Sequence, residues 1–400
     1  MPKRVAIIGA GPAGLMAAEV LSQYDYEIEV FEQKPSAARK FLMAGKTGLN
    51  ISHAEPVETF TQRYDRAEWL APWVKQWDAQ WIQGWMQGLG IESYVGSSGR
   101  VFPVEMKAAP LLRAWLKRLM NDGVKFHYRH RCVDLSNNQL TTENQTQQFS
   151  ATYDAIVLAC GAVSWSQLGS DGAWQQWLPK HEIEPFQASN AGVLKTWSSF
   201  MQECFGQPLK RVNAWVWPEQ QTHGDIIITH YGFESGVIYK LGRDLRAQIA
   251  QQQLLQLHLD LLPDVSVEQL EKKLQGNKKQ SLTNLWRKAG LDQVKINLLR
   301  EIVDKSVWSD AKQMVRQIKH LSISLDGFRP IEEAISCAGG VKQDVLSPQL
   351  QLKSNPYVFC CGEMLDWDAP TGGYLLTACF ATGRAAGEGV HQLFERSSTR

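Results

Sequence analysis

Residues 9–14 of this chain read Gly-Ala-Gly-Pro-Ala-Gly, a GxGxxG pattern that limits what can surround it. Before it, Val5–Ile8 is a β-prone run of the length of a buried parallel strand. After it, Leu15–Leu21 reads as a helix, and Ile28–Phe31 reads as a second strand ending at Glu32. In that setting Gly9 permits a tight strand-to-helix turn, Gly11 lets the backbone approach a pyrophosphate, and Gly14 lets helix and strand pack closely. The helix N-terminus offers unpaired N–H groups and a positive dipole end. Gly9, Ala10, Gly11, Pro12, Ala13 and Gly14 are therefore the expected phosphate loop. Glu32, 18 residues beyond Gly14, is placed to accept hydrogen bonds from a ribose diol. A glycine turn alone occurs in many α/β proteins; five parts in this order predict a bound dinucleotide.

The other end of the chain selects the dinucleotide. Asn355–Cys361 is an apolar strand stopping at Gly362-Glu363, and Thr371-Gly372-Gly373-Tyr374 precedes an alanine-rich helical run to Gly387. A carboxylate at a strand end suits the ribityl hydroxyls of a flavin, and a helix N-terminus stabilises negative charge on the reduced ring's pyrimidine edge. Asp154–Gly161 is a third strand running into a small-residue turn, with Ala159 and Gly161 beneath the adenine nucleotide. FAD is the expected cofactor, in a discontinuous domain built from both termini. No second GxGxxG follows a strand, so NAD(P)H, if it is the reductant, is expected to bind only transiently at the flavin.

Composition closes other routes. Forty-two basic residues against 41 acidic ones give a net charge of +1, which excludes a polybasic nucleic-acid tail, and 44% hydrophobic content excludes a disordered chain. Seven cysteines with no CxxC argue against a disulfide framework or a zinc site. No apolar run approaches the ~18 residues that cross a bilayer. The start lacks a signal-peptide cleavage pattern, so a cytoplasmic protein without a membrane partner is expected.

From about Asn190 to Gly327 the sequence turns to short mixed runs. Asp225–His230 and Gly236–Leu241 look like strands, Leu245–Leu262 looks helical, and Ser266 caps a helix over Val267–Leu274. Residues 271–320 hold twelve Lys and Arg against five Asp and Glu. Lys272, Lys273, Lys278, Lys279, Arg287, Lys288, Lys295 and Arg300 interleave there with apolar residues, as in a solvated helical face or a patch for an anionic partner such as RNA. Trp69, Trp73, Trp77, Trp81 and Trp85 recur every four positions on one helical face, with Pro72 suited to that helix's first turn. Packing is the expected use of the stripe, with base or substrate stacking the other reading. Lys46, in a glycine loop near the expected flavin, and His230, at a strand end, are the candidate catalytic groups. Each also has a structural reading, as a solvated lysine and a packed histidine. Cys360-Cys361 is expected to be packed rather than redox-active.

Several of these segments together resemble the BaiN/RdsA-like flavoproteins, bacterial FAD-dependent oxidoreductases. They are Arg39-Lys40 before a glycine loop ending in Asn50, Gly99–Pro103, Ile228–Gly232, Gly339-Gly340-Val341, and Gly362-Glu363-Met364-Leu365-Asp366 with Gly372-Gly373-Tyr374. The resemblance spans nearly the whole chain. It implies an α/β fold: a Rossmann-type FAD-binding domain (1–189 and 328–400) interrupted by a β-barrel-like insert (190–327) with a helical subdomain at about 245–320. It also extends the expected cofactor contacts to Gln33, Arg39, Lys40, Asn50, Val133, Asp366 and Leu375 beside Glu363, Gly373 and Tyr374. The family loop commonly reads Ser-Gly-Gly-Gly-Arg-Cys-Asn, whereas Gly48-Leu49 stands here in place of Arg-Cys. Tyr374-Leu375-Leu376 likewise replaces Tyr-Asn-Leu. The expected function is passage of hydride between FAD and an unidentified small-molecule substrate. Reduction of uridine to dihydrouridine in ribosomal RNA and a non-catalytic flavin sensor are the alternatives.

Overall fold

The computed structural model describes residues 2–46, 48–275 and 281–398. Lys278 and Lys279 lie outside the described residues. The chain forms two compact units, one of residues 1–187 and 337–400 and the other of residues 188–336. The change of unit thus falls at 187/188 and 336/337, where the sequence reading puts it at 189/190 and 327/328. Two strands paired with each other, Ile183–Ser189 and Ser336–Val341, carry the chain between units.

The first unit is built on a five-stranded parallel sheet. In spatial order its strands are Val358–Cys360, Ala155–Leu158, Lys3–Ile8, Tyr26–Glu32 and Lys125–Tyr128. The central strands are short, apolar and buried on both faces, as in parallel sheets covered by helices. Between the fifth and second of these strands in that order, the chain forms an antiparallel three-stranded sheet: Arg131–Ser136, Gln139–Glu143 and Gln148–Thr152. The first helix, Pro12–Leu21, has Pro12 in its opening turn, where a missing N–H costs nothing. It packs along the long C-terminal helix, Tyr374–Ser398, and two glycines of the latter allow the close approach. A Cβ on Gly383 would overlap the Ala13 carbonyl, and one on Gly387 would lie 2.9 Å from the Val20 Cβ.

The tryptophan stripe belongs to two helices, not one. Ala67–Gln76 ends at Trp77, and Asp78 caps Ala79–Gly88 by accepting the Trp81 N–H at 2.9 Å. Pro72 sits inside the first of these helices rather than in its opening turn. The stripe is used for packing. Arg384 lies over the Trp81 and Trp77 rings at 4.7 and 5.5 Å, and Trp85 Nε1 donates to buried Glu19 at 3.0 Å. Arg118 completes the Glu19 pairing at 2.9 Å.

In the second unit a seven-stranded antiparallel sheet surrounds its own apolar core. Two expectations fail here. Gly236–Leu241 is not a strand but the opening of helix Gly236–Ala250. Ser235 caps it by accepting the N–H groups of Val237 and Ile238, and burial of Val237, Ile238, Leu241 and Leu245 follows a helical period. The stretch Leu245–Leu262 is not one helix either. Its helix ends at Ala250, and Gln256–Asp260 is a strand whose Leu257 and Leu259 alternate into the core. Among the described residues the helical subdomain accordingly narrows to four helices, Val267–Leu274, Leu282–Ala289, Gln293–Ile302 and Ala311–Lys319. They lie in sequence between two strands that pair, Gln256–Asp260 and Leu321–Ser324.

Two stability predictions come from this architecture. Gly383→Ala lowers stability by about 1–3 kcal/mol, because the added carbon meets backbone. Gly84→Ala, on an exposed helical face with open space around it, raises stability by about 0.5–1 kcal/mol. Denaturant midpoints of the two variants should move in opposite directions. The second prediction concerns Glu29, which ties three strands together through His127 Nε2 at 2.9 Å and Arg4 Nη2 at 3.0 Å. His127 and then Arg4 hold its carboxyl down at about 2 against burial. A depressed carboxyl stabilises the fold above its unfolded pKa and loses that contribution as pH falls through the folded value. Screening at the half-exposed partners leaves ~1–2 kcal/mol, lost between about pH 5 and pH 2. Stability of Glu29→Gln measured across that range should show a correspondingly shallower fall.

Candidate functional site

The turn at the first helix is shaped by what its glycines exclude. Gly9 has φ +105°, and a Cβ there would overlap the Ala159 carbonyl. A Cβ on Gly14 would overlap the carbonyl of Gly9. Gly11 differs from both: nothing lies within 4 Å of where its Cβ would stand. The first and third glycines therefore close the turn, and the second leaves room above it.

Glu32 ends the second strand and accepts the Ala10 N–H at 3.2 Å and the Lys34 N–H at 2.8 Å. Burial raises its carboxyl above the usual range against those two backbone bonds. Beside it a pocket is lined by Gly9, Glu32, Gln33, Arg131, Cys160 and Trp174 among others. Gln33 Nε2 donates to the Gly169 carbonyl and closes one side. Gly161, at φ +70°, turns the chain there, and its carbonyl accepts from Trp174 Nε1 at 2.9 Å. Val133 sits at a bulge between Cys132 and Asp134, so its backbone has no ladder partner on the adjacent strand.

The two chain ends meet near Glu363. Gly362 has φ +80°, and a Cβ there would stand 2.7 Å from Ala13 Cβ. Glu363 receives Lys40 Nζ at 3.3 Å on one oxygen and the Cys337 N–H at 3.3 Å on the other. Asp366 pairs with Arg66 at 2.8 Å. Gly373, at φ +93°, passes flush against Ser52, whose Cα would lie 2.5 Å from an added Cβ. Tyr374 then donates its hydroxyl to Glu55 at 2.6 Å, and Arg63 grips the same carboxylate at 2.7 and 3.1 Å. Burial, followed by Glu55, pushes the Tyr374 phenol up, so it stays protonated. Leu375 follows it, half-buried, in the first turn of the C-terminal helix.

Arg39 and Asn50 flank this region, and both carry buried atoms without a hydrogen-bond partner, Arg39 Nε and Asn50 Oδ1. Unmet donors and acceptors cost about 1–3 kcal/mol each when nothing satisfies them. Together with the open space at Gly11 and the pocket beside Glu32, they fit a flavin adenine dinucleotide. Gly9–Gly14 and the helix start would hold the pyrophosphate, Glu32 and Gln33 the adenosine side, and Glu363 with the C-terminal helix start the flavin side.

The candidate catalytic residues fall in different units. Lys46 is exposed just after the short helix Arg39–Ala44. His230 is exposed in the second unit, after strand Thr222–Thr229. The Gly48-Leu49 departure has become core: Leu49 is wholly buried and its N–H donates to the Met106 carbonyl at 2.8 Å. Cys360 and Cys361 are also fully buried, and burial pushes both thiols well above the usual range. Sequence reasoning missed the pocket wall formed by His130–Cys132 and Gly169–Trp177. Arg131 and Cys132 open a strand, and Ala173–Trp177 is a single short 3-10 turn, so no one period runs through the wall.

Gly11→Val should fill the open space without touching the fold. The variant is expected to keep the wild-type unfolding midpoint, measured against wild-type apoprotein, and to lose bound flavin absorbance. Glu363→Ala is expected to weaken FAD retention by about 1–3 kcal/mol, which equilibrium dialysis against free FAD measures.

Comparison with known proteins agrees with this geometry. Residues 3–389 match the family described as the HI0933-like protein Rossmann domain. The 3-dehydro-bile acid delta(4,6)-reductase of Clostridium scindens is 23% identical over 407 residues, covering 96% of this chain and 98% of that protein. Among solved structures, 3-ketosteroid-delta4-(5alpha)-dehydrogenase from Rhodococcus jostii RHA1 superposes with a TM-score of 0.52 at 13% identity, covering 97% of each chain. A flavocytochrome c3 fumarate reductase gives a TM-score of 0.51 at 14% identity, over 98% of this chain and 78% of that one. These two likenesses show the fold. The match along nearly the whole length shows the family, and the chain belongs to the HI0933-like flavoproteins, FAD-dependent oxidoreductases of the BaiN/RdsA-like kind.

Proposed function

We propose that this chain reduces a carbon–carbon double bond conjugated to a carbonyl, with a nicotinamide nucleotide as the source of electrons. The observation that carries this reading is the end-to-end similarity to a reductase whose named substrate class, a 3-dehydro-bile acid unsaturated at positions 4 and 6, has that arrangement. A conjugated alkene accepts hydride at the carbon remote from the carbonyl and a proton at the adjacent carbon. FAD supplies the hydride carrier when bound.

The chain's own residues provide the rest. The start of the C-terminal helix favours negative charge on whatever lies before it. Glu55 and Arg63 hold Tyr374 and fix that helix start. Lys46 Nζ, exposed in the same unit as the FAD site, is the proposed proton donor.

The RNA reading keeps one supporting observation, namely that Lys272, Lys273, Arg287 and Lys288 are exposed on two packed helices. All four also lie in last turns, where positive charge complements the helix dipole. The uracil ring contains the same conjugated motif, so one experiment addresses both substrates. The holoprotein is reduced anaerobically with NADPH or NADH, then given a 3-oxo-4-ene steroid acid or ribosomal RNA lacking dihydrouridine. Flavin reoxidation together with a product heavier by two hydrogens is expected with the steroid acid. Dihydrouridine in the RNA, found by nucleoside mass spectrometry, would transfer the reading to RNA. A flavin that no nicotinamide nucleotide reduces would overturn the proposed electron source, and one reoxidised only by dioxygen would point to the sensor.

A further inference from the structure

The second unit contains a cleft of about 540 Å³ that no part of the FAD site uses. One wall is the segment Lys195–Ser199, which follows the two-residue strand Val193–Leu194. Two carboxylates hold this segment rigid. Asp326 accepts both the N–H and the hydroxyl of Thr196, at 2.6 and 2.8 Å. Glu301 accepts the N–H and the hydroxyl of Ser198, at 2.9 and 2.6 Å. The residue between them, Trp197, is pinned by Nε1 donating to the Thr229 carbonyl at 2.9 Å and by edge contact with Phe233 at 5.1 Å.

That clamping leaves an apolar wall, Trp197 with Phe205, and two basic groups lining the cleft, Lys195 and His230. Among the described residues, neither the Lys195 ammonium nor the His230 imidazole has a hydrogen-bond or ion-pair partner. Asp326 also lines the cleft; Thr196, aided by the nearby Lys195 charge, holds its carboxyl below the usual range. The Asp326 oxygen that accepts from Thr196 is committed to two donors, whereas Lys195 retains all three of its own.

We propose that this cleft binds a small carboxylate carried on a flat ring system, with the rings against Trp197 and Phe205 and the carboxylate on Lys195. A preformed, partly apolar cleft with a few fixed polar groups is the usual form of a small-molecule site. Because the bound class is defined by charge and shape, the proposal does not depend on the redox reading and is measured without turnover.

The test uses the holoprotein and two probes of the same ring and nearly the same shape, the anion 2-naphthoate and the neutral 2-naphthamide, by isothermal titration calorimetry. The carboxylate should bind about tenfold tighter than the amide, the worth of one charge-assisted hydrogen bond. Lys195→Met should abolish that preference while leaving amide affinity and FAD content unchanged. Lys195→Arg should restore it, and Lys240→Met, an exposed lysine outside the cleft, should not alter it. Equal affinity for the two probes, a preference that survives Lys195→Met, or no saturable binding of naphthoate at millimolar concentration would each overturn the proposal. None of these outcomes bears on whether NADPH reduces the flavin.

Discussion

The fold depends on how closely other chain segments approach the first helix. Gly9 and Gly14 remove side chains where the opening turn presses on the strand ending at Leu158 and on itself. Gly362 does the same where the last strand's exit meets Ala13, and Gly383 and Gly387 where the C-terminal helix crosses Ala13, Ala17 and Val20. Each of these positions is occupied in all but the missing carbon. This close packing brings residues more than 300 apart in sequence to the same turn, and with them the Lys40–Glu363 pair. Gly11 stands apart because its missing carbon faces open space. Within this turn, the two glycines that pack against backbone are thus distinct from Gly11, the one whose added carbon would meet nothing.

What was legible in the sequence follows from how local the cause is. The phosphate turn, Glu32 and the Gly362-Glu363 strand end depend on a few adjacent residues, so spacing reveals them. The helix opening at Ser266 is similarly local, since Gln269 returns the bond and completes a capping box. The break in the tryptophan stripe had a visible marker in Asp78, a good cap residue, but the period of four masked it. Gly236–Leu241 deceived for a different reason. Its β-branched and aromatic residues favour strands, while Ser235 and tertiary burial of one face decide for helix. The pocket wall at His130–Cys132 and Gly169–Trp177 had no local signal, because distant segments converge there.

Charge in the insert shows how a dense run of basic residues is absorbed by structure. Lys319 is committed to Asp260 at 2.6 Å and to the carbonyls of Leu262 and Val265. Arg300 donates to Thr283 at 2.6 Å and lies over the Trp286 and Trp308 rings. Lys295 is buried, and burial lowers its ammonium below the usual range. Arg287 donates to Gln293 at 2.6 Å. Lys273 donates to the Ala289 carbonyl at 3.5 Å, so a count of basic residues overstates the charge offered to an anionic partner, and Lys272 and Lys288 retain the clearest claim to one.

At the FAD site too, charge is balanced within the protein. The acids of the Gly-Glu-x-Leu-Asp segment are already neutralised by cations from the N-terminal part, Lys40 on Glu363 and Arg66 on Asp366. Their charges therefore do not hold the apoprotein open or apart. The unmet demand lies instead in Arg39 Nε and Asn50 Oδ1, buried atoms with no protein partner. Burying two such atoms costs free energy that a ligand hydrogen-bonded to them would return. A ligand that binds only the folded state stabilises it further by mass action, by about 2.7 kcal/mol at a hundredfold excess over Kd. Both effects fall on the first unit, whose sheet takes its strands from both ends of the chain. A cofactor held by both ends of the chain would therefore couple its own binding to closure of that discontinuous unit. Weakening such a site from either end of the sequence would then also loosen the join between those ends.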